Sequence, residues 1–181
     1  GLGDVYKRQM KDGPNHHGLV KDNHMCFTGG EPMLKHNQEA IIDVMRQFMA
    51  ERNVPPSITI ETNGTQDLAF DEGFVTMIDD YVENCGGELF WSVSPKLFTV
   101  SGEKNEKAIK PECVENYYDL SKNGQLKFVV NGTDECWKEV EDVIRSFRAR
   151  GINFPTWIMP VSATKEGQEE VAGTIACLLY T

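Results

Sequence analysis

The chain has 181 residues, 40% of them apolar and 25% charged, with a formal net charge of −10 at pH 7. That is one domain's worth of chain with enough apolar content for a packed core. The negative balance argues against a general nucleic-acid binder, which needs a basic face against phosphate, and reads as an ordinary solvated surface. Five scattered cysteines form no disulfide framework and point to a reducing compartment. There is no apolar run of membrane-spanning length and no signal-peptide pattern. The expectation is a cytoplasmic protein with neither membrane nor nucleic-acid partners.

Residues 23–28 read as a strand. Ile41, Ile42, Met45, Phe48 and Met49 recur at helical spacing and predict a helix over 36–51, which Pro55-Pro56 separates from the next element. Ile58 and Ile60 alternate in a strand over 57–61; Phe74, Met77, Ile78 and Val82 mark a helix over 72–83. Cys85-Gly-Gly87 breaks the chain before a strand at 88–93, and the polar stretch 97–110 reads as a surface loop. A helix over 112–122 and a strand over 125–130 follow. Thr133 or Asp134 caps a helix over 135–149 that carries Trp137, Val140, Val143, Ile144 and Phe147, and Gly151 closes it. A strand over 155–159 and a helix over 165–176 complete the series. Trp91, Trp137 and Trp157 read as packing residues. Strands alternating with helices predict an α/β fold with a parallel sheet and no domain boundary.

Three strand ends carry polar residues. Cys26-Phe-Thr-Gly-Gly-Glu-Pro32 leaves its strand through two glycines, a carboxylate and a proline. Paired glycines allow a ligand close to bare backbone, and Glu31 suits an ammonium group. Glu61-Thr-Asn-Gly-Thr65 ends the second strand and Ser94-Pro-Lys96 the third. The tips recur at intervals of about 30 residues, as strand-plus-helix units do, and sites in such folds gather at the C-terminal ends of strands. One shared pocket is the expectation. Each element also has a plainer reading. Gly-Gly pairs close ordinary turns, Asn63-Gly64 is a common turn dipeptide, and Lys96 without its context is a solvated cation.

Together, Thr28-Gly-Gly-Glu-Pro32, Glu61-Thr-Asn-Gly-Thr65 and Ser94-Pro-Lys96 resemble the radical S-adenosylmethionine enzymes. Val93-Ser-Pro-Lys-Leu97 and Met159-Pro-Val-Ser162 narrow the resemblance to the 7-carboxy-7-deazaguanine synthase family, over about residues 20–175. The resemblance implies a partial (β/α) barrel with parallel strands, of radical S-adenosylmethionine type. Gly29, Gly30 and Glu31 would hold the methionine amino group of S-adenosyl-L-methionine. Ser94, Pro95, Lys96, Met159, Pro160, Val161 and Ser162 would meet the same cofactor, and Thr28 would lie beside the substrate. Glu61 and Asn63 would bind a ribose or the substrate.

The implied reaction belongs to queuosine (7-deazapurine) biosynthesis. A reduced [4Fe-4S] cluster cleaves S-adenosyl-L-methionine to a radical that abstracts hydrogen from 6-carboxy-5,6,7,8-tetrahydropterin. The pterin then contracts its ring and loses ammonia to give 7-carboxy-7-deazaguanine, with Mg2+ assistance. A flavodoxin-type or other reductant is implied as partner, and a homodimer stays open. None of the residues named is an acid, base or nucleophile for the reaction.

The chain departs from the family at the cluster. Its cysteines are Cys26, Cys85, Cys113, Cys136 and Cys177, and no two lie within twenty positions. That excludes cluster or zinc spacing. Cys26 reads as a buried strand residue. His16 and His17 have no companion ligand at metal spacing, and His24 and His36 read as structural or solvated. The ends resemble foreign sequence, so the expectation is an internal fragment: residues 10–176 from an incomplete barrel, with 1–9 and 177–181 non-native and an open apolar edge exposed. Two rival readings remain, a glycyl-radical activase and a cluster-free barrel that binds a nucleoside-like ligand.

Overall fold

A computed structural model describes residues 23–68, 73–161 and Glu169. The elements follow in β/α order. They are β1 (Met25–Phe27), α1 (Lys35–Ala50), β2 (Ser57–Thr62), α2 (Phe74–Cys85), β3 (Glu88–Val93), α3 (Phe98–Ser101), α4 (Asn105–Ala108), α5 (Pro111–Leu120), β4 (Gly124–Val130), α6 (Asp134–Ala149) and β5 (Thr156–Pro160). The fold is α/β, with one five-stranded sheet in the order β1-β2-β3-β4-β5. Pairing is parallel: Met25 registers with Ile58 and Phe27 with Ile60, while Leu126 registers with Thr156 and Val130 with Pro160. No helix among the described residues is long and apolar enough to cross a membrane.

The described residues fall into two compact units. The first comprises residues up to 61 together with 67–91. Its core is built from Met25 and Phe27 of β1, Ile41, Ile42 and Met45 of α1, Ile58 and Ile60 of β2, and Phe74, Met77, Ile78 and Tyr81 of α2. In α2 the buried positions run 74, 77, 78 and 81, so Tyr81 takes the core place expected of Val82, which is 42% exposed. The Tyr81 hydroxyl donates to the Pro55 carbonyl at 2.8 Å. Its ring lies against Gly87, where any Cβ would come within 2.0 Å of a ring carbon. Cys26 is only half-buried, because the alternation of β1 sends Met25 and Phe27 into the core.

The second unit comprises residues 62–66 and those from 92 onward. In β4, Leu126, Phe128 and Val130 are fully buried, as are Cys136 and Phe147 of α6. Thr133 is the N-cap of α6, its hydroxyl accepting from the Cys136 N–H at 3.3 Å. The helix closes as a Schellman motif: Gly151 N–H donates to Arg148 O at 2.9 Å and Ile152 N–H to Phe147 O at 3.2 Å, with Gly151 at φ +77°. The stretch expected to be a loop contains two single helical turns, α3 and α4, held by local bonds such as Ser101 N–H to Leu97 O at 2.8 Å.

Trp157 is not a core residue. It is 60% exposed on β5, and Met159 on the same face is 44% exposed. The period of two along β5 carries Thr156, Ile158 and Pro160 to the other face, where they are half-buried. Trp157 and Met159 thus put apolar surface on one face of the last described strand. The helix expected over 165–176 lies outside the described residues, Glu169 excepted.

Candidate functional site

In the first unit, β1 ends at Phe27 and the chain turns through Gly29 at φ +89° and Gly30 at φ +58°. Both conformations belong to the left-handed region that side-chain-bearing residues rarely adopt. Thr28, Gly29 and Gly30 are exposed, and a Cβ built on either glycine meets no atom within 4 Å. The peptide backbone here is bare and faces open space. Pro32 and Met33 then bury themselves and anchor the turn.

Glu31 Oε1 accepts from the Met33 N–H at 3.0 Å, and the Glu31 carbonyl accepts from Asn37 Nδ2 at 2.8 Å. Gln38 on α1 is buried and donates through Nε2 to Met33 O at 2.6 Å and to Asp67 O at 2.8 Å. Sequence reading missed Gln38, since a lone glutamine in an amphipathic helix gives no sign of facing inward. The register of β1 on β2 puts Thr28 beside Glu61, and Thr28 Oγ1 donates to Glu61 Oε2 at 2.8 Å. This unit thus brings together Thr28, Gly29, Gly30, Glu31 and Glu61 around one strand-end turn.

In the second unit, Asn63 builds an Asx turn. Its Oδ1 accepts from the Thr65 N–H at 2.9 Å and from the Thr65 hydroxyl at 2.7 Å. The Thr62 hydroxyl accepts from the Gly64 N–H at 3.1 Å. Gly64, at φ +79°, is packed so closely that a Cβ would lie 2.8 Å from Val93 Cγ1 and 3.0 Å from Val114 Cγ2. Ser94 N–H donates to Thr62 O at 2.8 Å, which continues the strand pairing into the Ser-Pro-Lys tip. Pro95 is buried and Lys96 exposed.

The tip runs directly into α3, and Glu139 of α6 grips its first turn. Glu139 Oε1 accepts from Phe98 N–H at 2.7 Å, and Oε2 accepts from Thr99 N–H at 3.0 Å and Thr99 Oγ1 at 2.6 Å. Partial burial raises the pKa of this carboxyl, but hydrogen bonds from Thr99, Phe98 and Asn105 outweigh it and hold the carboxyl below its ordinary value. Asn131 Nδ2 adds a bond to Thr99 O at 3.1 Å. Glu139 is a second residue that sequence reading passed over, because its partners lie about forty positions away.

Of the Met159-Pro-Val-Ser162 tip, Met159 and Val161 are exposed, Pro160 is half-buried, and the Val161 N–H donates to Val130 O at 2.8 Å. Ser162 lies outside the described residues.

The donor set of the Gly-Gly-Glu turn fits the ammonium end of S-adenosyl-L-methionine: bare backbone, open space and an adjacent carboxylate. The cysteines do not fit a [4Fe-4S] cluster, since the sequence contains no closely spaced triad. Among the described residues no group of three His, Cys, Asp or Glu side chains is placed to hold a metal ion. No family model, curated protein or solved structure matches this chain.

Proposed function

We propose that this chain is the S-adenosyl-L-methionine-holding part of a radical enzyme of the 7-carboxy-7-deazaguanine synthase kind. Such an enzyme converts 6-carboxy-5,6,7,8-tetrahydropterin to 7-carboxy-7-deazaguanine with loss of ammonia. The observation that carries the reading is the turn at Gly29 and Gly30, left-handed at both residues, open above both, and flanked by Glu31 and the Thr28–Glu61 pair.

In this reading the backbone of Gly30 and the carboxylate of Glu31 take the cofactor's ammonium group. Glu31 is already oriented by the Met33 N–H, so little ordering remains to be done on binding. Thr28, held by Glu61, meets the pterin. Bound there and reduced by one electron from an external donor, S-adenosyl-L-methionine would supply the radical that begins the reaction, and this chain's residues would bind and orient it. The sequence holds no closely spaced cysteine triad for the cluster, and among the described residues no group of three His, Cys, Asp or Glu side chains is placed to hold a metal ion.

The cysteine spacing favours one alternative, a cluster-free barrel that binds a nucleoside-like ligand. Two measurements separate the readings. Calorimetric titration with S-adenosyl-L-methionine should show binding that Glu31→Gln weakens. The natural reading frame upstream should encode three closely spaced cysteines. Binding with a complete gene that lacks those cysteines supports the alternative, and absence of binding removes both.

A further inference from the structure

We infer that the polar face shared by β1 and β2, with Cys26 at its centre, is the wall along which the ligand of the Gly29-Gly30 turn lies, and that this ligand is a small cation. The inference rests on the function proposed above in one respect, that the turn takes an ammonium group. Every residue of the face belongs to the first unit.

Strand alternation sorts the residues of β1 and β2 by face. Met25, Phe27, Ile58 and Ile60 enter the core. The other side carries His24, Cys26 and Thr28 opposite Ser57, Thr59 and Glu61, as three rungs. The register pairs Cys26 with Thr59 in the middle rung. On either side of it, Thr28 Oγ1 donates to Glu61 Oε2 at 2.8 Å, and His24 Nδ1 lies 2.9 Å from Ser57 Oγ. At about 3.3 Å per residue the rungs span about 13 Å, the length of a small ligand.

Parallel sheets are ordinarily covered on both faces, and their strands are then apolar throughout. β1 and β2 are parallel, yet only alternate positions are buried. A second layer packed on the other face would cover a thiol, three hydroxyls, an imidazole and a carboxylate, and burying polar groups is costly unless each is hydrogen-bonded. A polar ligand supplies such bonds. The face also leads straight into the turn, since its Thr28 precedes Gly29, where the backbone meets open space. Charge selects the ligand. Residues 23–31 and 57–61 contain two carboxylates, Glu31 and Glu61, and no lysine or arginine. Such a surface attracts an ammonium or sulfonium group and repels an anion. S-Adenosyl-L-methionine carries both cationic groups against one carboxylate.

The test follows the half-buried Cys26 thiol by alkylation with iodoacetamide and mapping of the modified peptides. Without ligand, Cys26 should react faster than the buried Cys113, which is reached only on unfolding. S-Adenosyl-L-methionine at ten times its dissociation constant leaves about a tenth of the protein free, so Cys26 should slow about tenfold. Cys85, exposed at the end of α2, should react at an unchanged rate. By calorimetry, Cys26→Trp should weaken binding at least about tenfold, and Cys85→Trp should leave it unchanged. The alkylation arm needs no variant, so it stands if Cys26→Trp fails to fold. Binding without protection of Cys26, or Cys26 reacting no faster than Cys113, overturns the inference and leaves the turn assignment standing. Protection by 6-carboxy-5,6,7,8-tetrahydropterin alone overturns the choice of a cation. Absence of S-adenosyl-L-methionine binding by the wild-type protein overturns both the inference and the proposed function.

Discussion

Thr28 and Glu61 are joined across adjacent strands by a 2.8 Å hydrogen bond between residues 33 positions apart. The pairing follows from register: Phe27 lies opposite Ile60, so the next residue on each strand meets the other. The bond is exposed, and exposed polar pairs contribute little to stability. Thr28→Val should therefore change the free energy of unfolding in urea by less than about 1 kcal/mol. It should weaken pterin binding in a titration of the cofactor-loaded protein. A large stability loss would make the pair structural instead.

The two kinds of strand-end glycine should respond differently to a methyl group. Gly30 and Gly64 both have left-handed φ, which costs an alanine roughly 1–2 kcal/mol. Gly30 has open space around it, whereas a Cβ at Gly64 meets Val93 and Val114 methyls at 2.8 and 3.0 Å. Overpacking adds about 1–3 kcal/mol to the second substitution. Gly64→Ala should show the larger fall in urea midpoint. Gly30→Ala should remain folded and lose affinity for S-adenosyl-L-methionine. Equal stability losses would contradict the assignment of one glycine to packing and the other to ligand approach.

Tyr81 makes the first unit sensitive to alkali. Burial pushes its phenol up from 10.0 to about 12. With the folded pKa above the unfolded one, the neutral phenol's contribution is intact below pH 10 and is lost as pH rises towards 12. Urea unfolding at pH 8, 10 and 11 should show a decline in wild type that Tyr81→Phe lacks. At pH 8 the same variant should be less stable by about 1–2 kcal/mol, because it abandons the Pro55 carbonyl. Parallel pH profiles for the two proteins would show that the phenol does not titrate above its ordinary value.

Glu139 makes the second unit sensitive to acid. Its folded pKa lies below the ordinary value of 4.5, so its stabilisation is present above that value and is lost as pH falls through the folded pKa. The stability difference between wild type and Glu139→Gln should be largest near neutrality and shrink below pH 4.5. A difference independent of pH would mean that charge has no part in holding α3.

Much of this was legible in the chain itself. The spacing of Ile41, Ile42 and Met45, the alternation of Ile58 and Ile60, the Thr133 cap and the Gly151 stop are local signals. Each produced the expected element, because period and capping depend on a few adjacent residues. Errors came where burial depends on distant partners. Val82 and Tyr81 are equally apolar to a pattern, but only Tyr81 also finds Pro55 and Gly87. Trp157 reads as core by its spacing, yet β5 turns it outward.

The candidate site divides the same way. Gly29-Gly30-Glu31-Pro32, Asn63-Gly64 and Ser94-Pro95-Lys96 stood out because glycine, proline and short polar side chains carry backbone instructions within a few positions. Sequence alone determined the β/α order, the strand ends and the lack of a cysteine triad. Tertiary structure decided which residues hold those ends in place: Glu61 on Thr28, Gln38 on the Met33 carbonyl after the Gly-Gly turn, Val93 and Val114 over Gly64, and Glu139 on the turn after Lys96. The physical reason is that a hydrogen bond or a van der Waals contact depends on distance in space. Parallel pairing brings together residues more than thirty positions apart that no local pattern connects.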